Sequence, residues 1–176
     1  MTTEQENKAA PKKLTREEAV KAACILFELN TKEKDILEFA EKAGIDLEKN
    51  STRTKECIFN EWYGFVHAAI VYGLSTKVSN DVMMDYLRCT RELLQKVAGY
   101  DDLSVETFVD DTFAGYISLL IQNKQKECPN LFFQRVQGVK DITTLPSERV
   151  AFLAGMMAIT ICAILDKMEE YEYTEK

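Results

Sequence analysis

Histidine is almost missing from this chain: His67 is the only one in 176 residues. A single imidazole cannot supply the paired ligands of helical zinc sites or of four-helix di-metal centres, so those chemistries are excluded. Cysteines are present but never close together. Cys24, Cys57, Cys89, Cys128 and Cys162 stand more than thirty residues apart with no C-x-x-C, which provides neither a disulfide framework nor a zinc site. Cys24, Cys57, Cys89 and Cys162 fall inside apolar helical stretches and are expected in the core as small reduced hydrophobes. There is no glycine-rich loop to cradle a phosphate and no G-x-S-x-G. Cys57 lies ten residues before His67, about 15 Å away along a helix and pointing away from it, so no Cys–His nucleophile is formed locally. Long apolar runs are also lacking. The longest uncharged one, Val150 to Leu165, has 16 residues, about 24 Å of helix against about 30 Å of hydrocarbon. It is expected to be a buried core helix, with no membrane span. Met1 to Lys13 contains no apolar segment, so a secretory leader is not expected and a cytoplasmic location is.

What is present is the composition of a globular protein. Hydrophobic residues make up 46% and charged residues 29%, and a chain of this length can bury roughly 70% of its unfolded surface in one domain. The net charge is -7. Residues 1–100 carry 15 basic and 16 acidic side chains, and residues 101–176 carry 7 and 13, so the acidity sits in the second half. Such a surface repels phosphate backbones, and without a sizeable basic patch nucleic acid is not an expected partner.

Period-2 alternation is absent and helix punctuation recurs. Residues 1–13 read as a flexible tail and 14–176 as a single helical domain. Thr15 with Glu18 forms a capping box opening a helix to Leu29, and Asn30 with Glu33 repeats it for a helix ending near Ala43. A third helix spans Thr52 to Tyr72, Ser79 caps a fourth to Ala98, and Ser104 caps a fifth to Lys126. Pro129 opens a short sixth to Gln137 and Pro146 a seventh to about Tyr171.

Seven glycines fall into two groups. Gly44, Gly73, Gly99 and Gly138 each follow a helix and precede an apolar residue, the pattern of left-handed helix stops. Gly64, Gly115 and Gly155 sit inside the third, fifth and seventh helices, where each costs about 1 kcal/mol relative to Ala. Those three helices are also the most apolar and carry nearby alanines, so close crossings among them should offset the cost. The expected fold is all-α: a seven-helix orthogonal or mixed bundle with a central layer of three apolar helices.

Candidate chemistry is sparse. His67 shares a helix face with Tyr63, beside Phe59 and Trp62, and two readings stand: these four line a pocket in which His67 orients a ligand, or His67 is a satisfied core residue. Glu38 and Glu41 resemble half of the magnesium-binding motif of all-α nucleotide pyrophosphohydrolases, but the second half is missing, since Glu106 and Asp110 stand four apart. Glu38 and Glu41 are therefore assigned to a solvated face. Asp111, Ser118 and Gln122 form a polar stripe with Gly115, read as an exposed or interface side. No cofactor or metal is expected.

The run Asp35 to Ile45, after the helix REEAVKAACILFEL, resembles the first two helices of the DNA-binding head in TetR-type regulators. That resemblance implies a short recognition helix of basic and aromatic character next. The residues there are Asp46, Leu47, Glu48, Lys49, Asn50 and Ser51, and residues 30–60 hold six basic against seven acidic side chains, without the positive surplus such a helix needs.

The expected function is that of a non-enzymatic helical bundle acting through protein–protein contact, as a regulatory, adaptor or structural subunit and a homo-oligomer. The alternatives are a bundle binding a small apolar ligand and a TetR-like regulator. The interface is expected on the seventh helix or on Leu131, Phe132, Phe133 and Val136, since three consecutive bulky residues cannot all point into one core.

Overall fold

The computed structural model describes residues 10–48 and 51–173, without the side chains of 51 and 52. It is all-α apart from one short strand pair. In chain order the elements are β1 (Lys12–Leu14), α1 (Arg16–Asn30), α2 (Glu33–Lys42), α3 (Ser51–Gly73), α4 (Asn80–Arg88), α5 (Thr90–Ala98), α6 (Asp102–Thr107), α7 (Ala114–Ile121), α8 (Cys128–Gln137), α9 (Ser147–Glu169) and β2 (Tyr171–Tyr173). Leu74–Val78 and Phe108–Phe113 are π-helical turns, one ending α3 and one joining α6 to α7.

Local chemistry explains most boundaries. Thr15 and Glu18 form the reciprocal capping box at α1, and the Ser79 hydroxyl accepts from the Val82 N–H at α4. Asn30 does not cap α2: its side-chain amide donates to the Leu26 carbonyl, and Lys32 occupies the cap position. At α6 the cap is Asp101, whose carboxylate accepts from the Ser104 N–H, so Ser104 lies inside the helix it was expected to open. Gly44, Gly99 and Gly138 take positive φ and stop α2, α5 and α8. At Gly44 the stop is reinforced by the Ile45 N–H reaching back to the Ala40 carbonyl.

Gly73 departs from that group. Its φ of -61° is right-handed, and α3 runs through it into the π turn. A Cβ there would lie 2.6 Å from Met168 Sδ, so the missing side chain lets α9 approach. The expected fourth helix divides at Cys89, and Arg88 in its last turn before the break pairs with Asp85.

Helix α3 is the centre of the molecule. Every residue from Glu61 to Val71 is buried, and α1, α2, α7, α8 and α9 all pack against it. The helix after α2 is thus this buried rod, not the short exposed helix that the TetR resemblance implies; Lys49 and Asn50 lie outside the described residues. Gly64 makes the closest crossing, where an added Cβ would stand 2.5 Å from Thr112 Cγ2 and 3.3 Å from backbone of the same residue. Gly115 faces Leu131 and Arg135 of α8 instead of α3 or α9, and Gly155 has nothing within 4 Å among the described residues. One of the three expected crossings is therefore found as expected, one has a different partner, and one is absent among the described residues.

The first and last described segments meet. β1 pairs in parallel with β2, Lys12 opposite Tyr171 and Leu14 opposite Tyr173, and the Lys12 N–H donates to the Glu170 carbonyl at 3.1 Å. Lys12 and Lys13, expected in a flexible tail, are held by this pairing, while residues 1–9 lie outside the described residues. Three-residue strands are too short to show a period, so only the folded bundle brings the two segments together.

Candidate functional site

The four residues expected to form a pocket separate into two environments. Phe59 and Tyr63, with near-parallel rings 6.2 Å apart, line a cavity of about 840 Å³ together with Arg53, Glu56, Asn60 and Tyr100. Trp62 and His67 point elsewhere, into the core. The Trp62 indole N–H donates to the Asn30 carbonyl at 2.9 Å, satisfying its one polar atom. His67 stands between two hydroxyls, Tyr86 Oη at 2.9 Å from Nδ1 and Thr90 Oγ1 at 3.1 Å from Nε2. A neutral imidazole suits this place, since one ring nitrogen donates while the other accepts. Complete burial among Phe27, Phe108 and Phe113 pushes its pKa down to about 3. His67 is a satisfied core residue tying α3 to both sides of the α4–α5 break.

The short α8 also differs from expectation. Phe132 and Phe133 are both fully buried, Phe132 edge-on to Trp62 and Phe133 beneath the Arg149 guanidinium. The bulky residue left partly exposed is Leu131, with Val136 half-buried beside it. Cys128 at the start of α8 is fully buried, so α8 fills the core with both rings and a thiol.

Sequence reasoning did not find the buried ionic cluster next to this helix. Glu61 of α3 is 4% exposed. It accepts from Tyr116 Oη at 2.9 Å, and Arg135 Nη1 lies 3.5 Å from its Oε1. Arg135 Nη2 donates to the Asp111 carboxylate at 2.9 Å and to its carbonyl at 3.2 Å, leaving buried Nη1 without a hydrogen bond. Burial raises the Glu61 pKa, against the pull of Arg135 and the Tyr116 hydroxyl. Arg135 and Asp111 line an adjacent cavity of about 1000 Å³, whereas Glu61 lies behind Arg135 and does not line it. The cluster thus neutralises a buried charge and positions α8 on α3. Asp111, read as part of an exposed stripe, is its solvent end; Ser118 and Gln122 farther along that stripe bond each other at 2.9 Å. Glu38 pairs with Lys42 on the solvated face of α2 at 2.7 Å. Among the described residues, no group of three His, Cys, Asp or Glu side chains is placed to hold a metal.

Helix α9 presents the largest contrast with expectation. It is long and apolar enough to cross a membrane by length and composition, yet only 28% of its most apolar stretch is buried in the bundle. Leu153, Met157, Thr160, Ile161, Ile164 and Met168 face inward. Ala151, Ala158, Ile159, Cys162 and Ala163 are exposed, with half-buried Gly155 on the same side at helical spacing. Ile159 is 65% exposed. Cys162, expected in the core, belongs to this outer face.

Comparison of the chain with protein-family models, with curated proteins and with solved structures finds no match to any of them.

Proposed function

We propose that this protein is a non-enzymatic helical-bundle subunit acting through protein–protein contact, and that it self-associates through the outer face of α9. The observation that carries the reading is Gly155. A mid-helix glycine costs about 1 kcal/mol relative to Ala, and among the described residues nothing lies within 4 Å of where its side chain would be. Its neighbours on that face, Ala151, Ala158 and Ala163, are equally small. Together they form a flat, uncharged strip on which a second helix backbone can approach to about 8–10 Å.

A second copy fits this strip because a two-fold contact uses the same patch twice. A crossing centred on Gly155 and Ile159 buries Ile159 on both sides. Crossing at about 50° also carries the acidic ends at Glu148 and Asp166 away from each other, so no like charges are forced together. The proposed architecture follows: a seven-helix mixed bundle whose central layer of three apolar helices, α3, α6–α7 and α9, is complete only when α9 is covered on both sides. Lipid is the weaker occupant, because alanine and glycine offer little apolar area and hydrophobic gain scales with area. A cytoplasmic protein results from this reading.

Sedimentation equilibrium at tens of micromolar tests it. The wild type is expected to be dimeric, and Ile159→Asp monomeric with an unchanged circular dichroism spectrum. A monomeric wild type, or a wild type that floats with phospholipid vesicles while the variant does not, overturns the proposal.

A further inference from the structure

The end of the molecule where the two strands pair contains a third cavity, apart from the outer face of α9. Its volume is about 540 Å³, inside the roughly 300–1,000 Å³ range of small-molecule sites. One wall is α1, which turns Ala19, Ala22, Ala23 and Leu26 toward it. These are positions i, i+3, i+4 and i+7 of one helix face, and three of the four are alanine. Larger residues at those positions would fill the space; alanine leaves it open. Leu74 and Val78 of the π turn and Met168 of α9 close the floor, with Leu14 of β1 and Tyr171 and Tyr173 of β2 above them. The space is open to solvent on one side, and its lining of alanine, leucine, valine, methionine and tyrosine side chains offers an apolar surface to a small molecule that enters it.

Charge at the cavity narrows its chemistry. Two ionic side chains, Lys77 and Glu172, reach it, and both have partners: Lys77 pairs with Glu169, and Glu172 with Lys13 across the strand pair at 3.9 Å. Both pairs are exposed and already matched in charge, so neither Lys77 nor Glu172 offers an unmatched charge to hold a charged ligand. A neutral ligand leaves both intact. We infer that this cavity binds one uncharged, mainly hydrocarbon small molecule carrying at most a single hydroxyl, admitted where β2 closes over α1. The inference does not rest on self-association through α9.

Calorimetric titration with 1-octanol, octanoate and octylammonium, each kept below its solubility or micelle limit, separates the alternatives. The wild type is expected to bind one octanol per chain about tenfold more tightly than either ion, since desolvating a charge opposes its burial. Ala22→Leu and Ala23→Leu are each expected to weaken octanol binding at least about tenfold by occupying the space, with melting temperature unchanged or raised in at least the half-buried Ala22 variant. Ile159→Asp should bind octanol as the wild type does. Absence of saturable octanol binding overturns the inference, as does octanoate or octylammonium binding as tightly as the alcohol. Undiminished binding in both alanine variants also overturns it, because the ligand would then sit elsewhere.

Discussion

Helices α3 and α9 are both 23 residues long and rich in apolar side chains, and both carry a glycine near the middle. In α3 each feature is used inside the monomer. Gly64 admits Thr112, Glu61 meets Arg135 and Tyr116, and His67 is held by Tyr86 and Thr90. In α9 the inner half packs on α3 and α8, while the outer half is exposed and, among the described residues, nothing lies within 4 Å of where a Gly155 side chain would be. Apolarity all round a helix therefore does not by itself place both of its sides inside the bundle.

The contrast can be broken first at Arg135. Arg135→Leu leaves Glu61 of α3 buried without its cation, and a loss of about 3–5 kcal/mol in urea unfolding is expected; a change below 1 kcal/mol would show that the ion pair does not hold α8 on α3. Glu61→Gln is milder and reports through pH. Because burial raises the folded pKa of Glu61, the native state holds its proton above the ordinary carboxylate range. Wild-type stability relative to Glu61→Gln should thus fall as pH rises from that range through the raised value.

His67 gives the opposite slope. Its folded pKa of about 3 lies below the ordinary 6.5, so the unfolded chain binds the extra proton between those values. Stability should be lost as pH falls below 6.5, by on the order of 3–5 kcal/mol at pH 3. Urea midpoints measured against His67→Gln isolate this contribution; parallel pH profiles for the two proteins would contradict the burial of a neutral ring.

A matched pair of glycine substitutions sharpens the comparison further. Gly64→Leu forces bulk into the Thr112 crossing and should destabilise by about 1–3 kcal/mol or more. The smallest effect has the other sign. Gly155→Ala, measured in dilute monomer, should stabilise by roughly 0.5–1 kcal/mol, since alanine is the better helix former and meets no obstacle there. Equal urea midpoints for the two variants would erase the distinction between the helices.

Much of the fold was legible where the cause is local. The Thr15 capping box, the Ser79 cap, the left-handed stops at Gly44, Gly99 and Gly138 and the all-round burial of α3 depend on residues a few positions apart, so spacing alone reveals them. The break at Cys89 and the displaced caps at Lys32 and Asp101 were not legible, because several nearby polar residues could cap equally well. The candidate site was legible only in part. Of the residues expected at an interface, Phe132 and Phe133 proved to be core, while the seventh helix, named for its apolarity, has one exposed face. The Glu61–Arg135 cluster joins residues 74 apart in sequence, and no periodicity signals such a pairing.

By itself the sequence determined the helical class and the starts and stops of most helices, because propensity and capping act over a few residues. Which apolar face meets which was decided by the tertiary structure alone. Gly73 became a close approach to α9 instead of a helix stop, the first and last described segments were drawn into one strand pair, and α1's alanines were left facing an open cavity. Each depends on surfaces brought together from distant parts of the chain, and the hydrophobic drive that joins them is non-directional, so it leaves no local mark of which surface is its partner.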